Sequence, residues 1–284
     1  MKWQGRRGSA NIEDRRSSSG GRSVAGAGIG GVGVIIVVVV GYFLGIDVTP
    51  ILEGATSQVQ PGSTEITEAD QRAAEFVSVT LADTEEIWTD IFRNDLGQTY
   101  VPATLVLFKG NTQSPCGGAS GASGPFYCPG DQKAYLDTEF FTTLSQQLGA
   151  KGDFAAAYVV AHEIAHHVQN ELGILGEANR ARQSVSEAES NRISVQIELQ
   201  ADCFSGIWAN HAGQRFGSLE AGDIGEAMNA AKRIGDDALQ KAAGRAPNPH
   251  TFTHGTSAQR MAWFDRGYKS GDIAQCDTFS AKRL

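Results

Sequence analysis

"YVVAHEIAHHVQNELG", residues 158–173, poses the question on which the reading of the whole chain turns. An α-helix repeats every 3.6 residues, so side chains four apart share a face at about 6 Å. His162 and His166 therefore aim two imidazoles at one point, with Glu163 a little to the side. This is the H-E-x-x-H arrangement of a zinc-binding helix, in which the glutamate acts as general base on a water activated by the metal. The stretch just before it, "AAAYVVA" at 155–161, is small and apolar, as expected of a buried helix rather than an exposed amphipathic one.

Catalytic zinc takes three protein ligands and keeps a fourth position open. The extended motif H-E-x-x-H-x-x-G-x-x-H is excluded, because Gln169 stands at its glycine and Leu172 at its third histidine. A later segment, "VQIELQADCFSGIWA" at 195–209, places Glu198 and Asp202 four apart on one helical face. Glu198 completes a His₂Glu ligand set, and Asp202 can accept the outer N–H of a ligating histidine. Such carboxylate pairs are common on helices, but this one sits among apolar residues. An unpartnered carboxylate there would be costly.

Around these segments the pattern is mainly helical. A helix is expected from Thr67, whose "TEAD" is a capping box, to Gly97 with a break. Others are expected at 138–149, 153–171, 184–210, 219–243 and 257–269. "ATLVLF" (103–108) and "KAYLD" (133–137) read as short strands, the first a candidate sheet edge for substrate. The fold class expected is α+β.

Charge is uneven. The chain of 284 residues carries −8, yet residues 1–23 carry +4 and the remainder −12. An acidic body lacks the clustered Lys/Arg that phosphate binding requires, so nucleic acid is excluded as the principal partner. The tail 1–23 reads as disordered. Residues 24–46 are uncharged and, as helix, about 34 Å long, enough for a bilayer core. They are expected to be a retained transmembrane anchor, with five arginines before it placing the N-terminus in the cytoplasm. Residues 47–66 then form a linker, and the domain at 67–284 lies in the periplasm or outside the cell. Gly26/Gly30 and Gly41/Gly45 match the G-x-x-x-G pattern of an anchor-mediated homodimer. Four cysteines without C-x-x-C spacing suit disulfides in that compartment. Cys116 and Cys128 flank a glycine-rich loop, where a bridge would remove about 3 kcal/mol of unfolded-state freedom. Cys203 and Cys276 remain as the second pair.

Taken together, "HEIAHHVQ" (162–169) and "ELQADC" (198–203) resemble the bacterial neutral zinc metallopeptidase family, single-pass membrane proteins of gluzincin type. "SPCGGASGASGPFYCPGDQKAYLD" (114–137) and "THGTSAQR" (253–260) are similar to that family's other blocks. "ELQAD" and "THGTSAQR" also resemble HtpX-like membrane proteases, which have several spans. The resemblance implies a zincin-like domain with a small sheet, one Zn²⁺ per chain and a peptide or protein substrate. It also lends a role to two residues that would otherwise be a loop histidine and a surface charge. His254 becomes the candidate donor to the tetrahedral intermediate, and Arg260 a brace for it or a contact for substrate. His167, turned about 100° from His166, is read as non-ligating.

The expected function is zinc-dependent endopeptidase. Its rivals are a catalytically silent zinc-stabilised scaffold and a zinc amidase acting on cell-wall peptide. Glu163 separates the scaffold from the enzymes, since a structural metal site needs no carboxylate beside it.

Overall fold

The computed structural model describes residues 1–17, 65–120, 124–281 and 283–284. In chain order the strand β1 (Ile12–Asp14) precedes the long helix α1 (Glu68–Asn94), followed by the strands β2 (Thr104–Phe108), β3 (Asn111–Ser114), β4 (Gly117–Ser120), β5 (Phe126–Cys128) and β6 (Lys133–Asp137). Helices complete the chain: α2 (Asp153–Glu171), α3 (Ile174–Arg182), α4 (Glu187–Phe216), α5 (Asp223–Arg233), α6 (Asp236–Ala242) and α7 (Ser257–Ser270). The class is α+β, as the hydrophobic periodicity implied.

Local chemistry accounts for most of the boundaries. Thr67 opens α1 through a reciprocal pair, accepting from the Asp70 N–H while the Asp70 carboxylate accepts from its own, and no break interrupts the 27 residues that follow. The stretch 138–149 gives only short helical turns at Phe140–Thr142 and Thr143–Gln147. The single helix expected over 219–243 is divided at Gly235, where the backbone passes so close to Ser257 that a β-carbon would clash. Asp236, just after this break, anchors the loop before α7 instead of continuing α5.

Four strands form one sheet in the order β1-β2-β6-β5, parallel except for the β5–β6 pair. β3 and β4 make a separate hairpin. β2 is therefore interior, flanked by β1 and β6, and cannot serve as the substrate edge suggested for it. Among the described residues the open edge on the side of α2 belongs to β5. Two disulfides join Cys116 to Cys128 and Cys203 to Cys276, tying the hairpin to β5 and the C-terminal segment to α4.

α2 is the hub. It packs against α1, α3, α4 and α5 and touches β5 and β6. Its alanines at 155, 157, 161 and 165 are buried along with Phe154, Tyr158, Val160, Ile164 and Val168, so neighbours close on nearly every face. α7 lies along α4 at very short range. A β-carbon on Gly206 would overlap the Phe264 carbonyl, and one on Gly267 the Cys203 carbonyl, so these backbones meet directly.

The N-terminal segment departs furthest from expectation. Residues 1–17 are not a disordered tail but part of the domain. β1 pairs with β2, and Trp3 meets Phe76 edge to face. The Met1 ammonium lies 2.9 Å from Asp153, 3.0 Å from Glu220 and 3.3 Å from Asp223. Arg6 makes a two-pronged pair with buried Asp83 at 2.6 and 2.7 Å, and Asn11 donates to Glu85. Arg16, itself buried, holds Asp14 and donates to the Asp70 carbonyl. Arg6 and Arg7 are the counter-charges of Asp83 and Glu86 on α1, while Arg15 and Arg16 pair with Glu13 and Asp14 of β1.

This overturns the expected membrane layout. A single crossing between the tail and the domain would put β1 and β2 on opposite sides, yet they are hydrogen-bonded neighbours. Among the described residues no helix is long and apolar enough to cross a membrane. A single-pass inner-membrane placement is thus not supported. The run 24–46, its G-x-x-x-G pairs and most of the 47–66 linker lie outside the described residues.

The Arg6–Asp83 pair yields a test. Burial raises the Asp83 carboxyl from 3.8 to about 6, with Arg6 opposing. A carboxyl raised on folding favours the fold fully below pH 3.8 and loses that contribution as pH climbs through about 6. Without Arg6 the ionised form is stranded, and breaking such a pair from one side costs about 3–5 kcal/mol when both partners are buried. Arg6 keeps partial exposure, so Arg6→Ala should cost about 2–3 kcal/mol at pH 7.5 and distinctly less at pH 4.5. Urea unfolding at both pH values measures the difference; equal losses would refute the account.

Candidate metal centre

The centre is built where α2 and α4 face each other. His162 Nε2 lies 3.0 Å from Glu198 Oε2, and His166 Nε2 lies 3.5 Å from Glu198 Oε1. The three donor atoms fall within 4.8 Å of one another. The helical spacing that proposed the two histidines, and the separate helix that proposed Glu198, thus converge on one point.

Behind His162 is a buried cluster. Asp202, with no exposed surface, places Oδ1 3.0 Å from His162 Nδ1, within ion-pair distance though off the line of the ring N–H. The same carboxylate receives the Arg260 guanidinium on both oxygens, at 2.8 and 3.0 Å, and accepts from the Tyr158 hydroxyl. Arg260 also donates to Tyr158 and to the Ile234 carbonyl. At 2 % exposure it has no face for substrate, so the suggestion that it contacts substrate is corrected. It acts on Asp202, and through it on His162.

His166 is oriented from the other side. Its Nδ1 lies 2.9 Å from Gln169 Oε1, an atom that can only accept. Nδ1 therefore carries the proton, and Nε2 turns a lone pair toward Glu198. A lone pair facing a carboxylate is repulsive unless a proton or a metal cation lies between them. Two imidazole nitrogens and one carboxylate oxygen are the donor set of a catalytic zinc site, so the residues present fit that ion.

Glu163 is 8 % exposed, and among the described residues no donor hydrogen-bonds its carboxylate. Burial pushes it up to about 7, the His162, Arg260 and His254 charges notwithstanding. Burial also works against charge on Glu198, but the imidazoles of His166, His254 and His162 outweigh it and hold that carboxyl well below its usual range. Burial lowers His166. Burial would lower His162 as well, but its contacts with Asp202 and Glu198 prevail and raise it.

His254 reaches the centre from the loop ahead of α7. One oxygen of Asp236 collects the backbone N–H groups of Thr253, His254 and Gly255, at 2.8, 2.7 and 2.9 Å. The ring Nδ1 sits between Thr253 Oγ1 at 2.9 Å and Asp236 Oδ1 at 3.3 Å. Gly255, at φ +87°, lets the loop press onto α4 at Val195 and Leu199, beside Glu198. Burial disfavours the imidazolium of His254, yet the Glu198 and Asp236 charges raise it overall.

His167 is not a ligand, in keeping with its angle on the helix. Its Nε2 donates to the Val101 carbonyl at 2.7 Å, and its Nδ1 accepts from the Tyr127 hydroxyl at 3.0 Å, joining α2 to β5. Sequence reasoning gave Tyr158 only as one of three tyrosines, with Tyr127 and Tyr135, able to donate to an oxyanion, used Gln169 only to exclude the extended motif, and passed over Asp236. Tyr158 and Gln169 lie four before His162 and three after His166, the spacing that shares a helical face. Asp236 lies in no motif and offered no such signal.

Comparison with known proteins supplies the family. Residues 1–279 match the family described as "Putative neutral zinc metallopeptidase". The chain is 47% identical over 285 residues to "Uncharacterized protein YpfJ" of Escherichia coli (strain K12), covering 98% of this chain and 99% of that protein. It is 45% identical over 195 residues to "Uncharacterized protein Rv2575" of Mycobacterium tuberculosis (strain ATCC 25618 / H37Rv), covering 65% of each. No solved structure matches it. With the match running through the N-terminal segment, the H-E-x-x-H helix and the loop of His254, the chain belongs to the neutral zinc metallopeptidase family.

Proposed function

We propose that the protein is a zinc-dependent endopeptidase in which His162, His166 and Glu198 hold one Zn²⁺ and Glu163 is the general base. The observation that carries the reading is the Glu163 carboxylate, buried beside the donor set and accepting no hydrogen bond among the described residues. Burying most of a carboxylate with no protein donor to compensate it is a stability cost. A scaffold would have no use for it. A hydrolase needs a base that is not already engaged.

Bound zinc would supply Lewis acidity, making water a nucleophile near neutral pH and polarising the scissile carbonyl. Glu163, near 7, can take a proton from the attacking water and return it to the leaving amine at similar pH. His254 places positive charge near Glu163 and Glu198, where it would stabilise the oxygen that becomes negative as the carbonyl is attacked. Asp202 fixes the ring of His162, and Arg260 and Tyr158 fix Asp202. The open edge of β5, linked to α2 through Tyr127 and His167, is the place for an extended peptide to lie.

Two outcomes are expected of the full chain. Wild-type protein should bind one zinc per chain by elemental analysis and cleave casein or members of a peptide library. Glu163→Gln should keep the metal while kcat/KM falls by about 10²–10⁴-fold. A fully zinc-loaded wild type that cleaves nothing across the libraries would favour the scaffold. Cleavage confined to cell-wall peptide would favour the amidase.

The ligand assignment predicts separately that Glu198→Gln and His166→Ala bind well under one-tenth of the wild-type zinc after dialysis. Chelation should lower the wild-type Tm by several degrees and leave the Tm of those variants unchanged. Retention of stoichiometric zinc by either variant would remove that residue from the set.

A further inference from the structure

The two amides nearest His166 are more ordered than filling a core requires. Gln169 has no exposed surface and Gln200 is 5 % exposed. Gln169 Nε2 donates to the Ile197 carbonyl at 2.7 Å and to Gln200 Oε1 at 3.0 Å, leaving Oε1 for His166 Nδ1 at 2.9 Å. Gln200 Nε2 donates to the Cys276 carbonyl at 3.0 Å. Cys276 is bonded to Cys203, three residues beyond Gln200 on α4.

This chain of hydrogen bonds has only one workable polarity. A backbone carbonyl can only accept, so Cys276 obliges Gln200 to present its NH₂ there and its oxygen to Gln169. Gln169 must then present its NH₂ to Gln200, a choice that the Ile197 carbonyl enforces again, and its oxygen to His166. Flipping either amide would set donor against donor and acceptor against acceptor in a buried space, at the cost of at least two hydrogen bonds. The direction of the relay is fixed at the C-terminal segment and delivered at the imidazole.

We propose that Gln169 and Gln200 are positioning residues, a buried relay through which the disulfide-anchored C-terminal segment fixes His166 as the Nδ1–H tautomer with Nε2 offered to the metal. This rests on His166 being a zinc ligand. A neutral imidazole in water divides between two tautomers, and a site that must select one at binding loses affinity. Partners of this kind are worth about 10–100-fold in metal affinity when removed.

The test uses the full chain and two readouts other than catalysis. Zn²⁺ is titrated against a chromophoric chelator of known affinity, and the His166 tautomer is read from imidazole ¹⁵N shifts in metal-free protein. The metal-free wild type should show His166 protonated at Nδ1. Gln169→Leu should weaken zinc binding about 10–100-fold and mix the tautomers. Gln200→Leu, which does not touch His166, should shift both readouts in the same direction by a smaller factor. Gln196→Leu is the control: it cuts the neighbouring bond to the Thr278 carbonyl without reaching His166, and should lower Tm while leaving zinc affinity unchanged.

Should Gln169→Leu not fold, the wild-type tautomer and Gln200→Leu still decide. A wild-type His166 with no proton on Nδ1 overturns the proposal, as does wild-type zinc affinity in a folded Gln169→Leu or Gln200→Leu. Failure of the wild type to bind zinc would instead remove the ligand assignment on which the proposal rests.

Discussion

Asp202 is a carboxylate with no exposed surface, bonded to a guanidinium, a phenol and lying against an imidazole. Each partner comes from a defined element: Tyr158 and His162 from α2, Arg260 from α7, and Asp202 itself from α4. A charge so deeply placed survives only if fully compensated, because burial alone costs several kcal/mol per ion. The three helices are therefore held in the one relative position that brings all four groups together. The metal centre occupies the solvent side of the same junction, one helical turn from Asp202 along α4 at Glu198. Without the Arg260–Asp202 pair α2 and α4 would still be joined through Gln169 and Tyr158, but the Asp202 charge behind His162 would lose its main compensation.

The electrostatic pattern follows from that arrangement. Acids and bases are packed so that each member of the centre except Glu163 has an opposite partner nearby. Glu198 is held ionised by the surrounding imidazoles, and His166 is held neutral by burial. Burial raises Glu163 to about 7, and the charges of His162, Arg260 and His254 oppose that rise without bonding to it directly. Two carboxylates on facing helices thus differ in their readiness to take a proton, and environment alone separates them.

Much of the centre was legible because helices write their geometry locally. His162 with His166, and Glu198 with Asp202, are i, i+4 pairs, and no long-range information is needed to see that each shares a face. The cysteine pairing was legible for a similar reason, since one pair closes a short loop and leaves the other determined. The N-terminal segment was not. β1 meets β2 across a separation from residue 12 to residue 105, and composition describes Arg6 and Arg16 without naming the Asp83 carboxylate and the Asp70 carbonyl they reach on α1. The placement of β2 depended on that same pairing, so it was misread as an edge. Gln169 was seen only as a departure from another family's glycine, because its partners lie on α4 and in the C-terminal segment. Arg260 was taken for a brace of His254, a substrate contact or a surface charge because sequence does not reveal which arginine is enclosed, nor that its partner is Asp202.

The crossing of α4 and α7 at Gly206 and Gly267 bears on how this protein can change over evolutionary time. With peptide units touching, no side chain intervenes whose trimming or growth could widen or narrow the gap by small steps. The spacing is a hard stop, set by the thickness of two main chains. The reach from Arg260 to Asp202 across this crossing is therefore set by backbone contact and not by the volume of an intervening side chain. At those two positions, by contrast, the smallest possible enlargement is a wedge driven between the helices, and there is no gradual route around it.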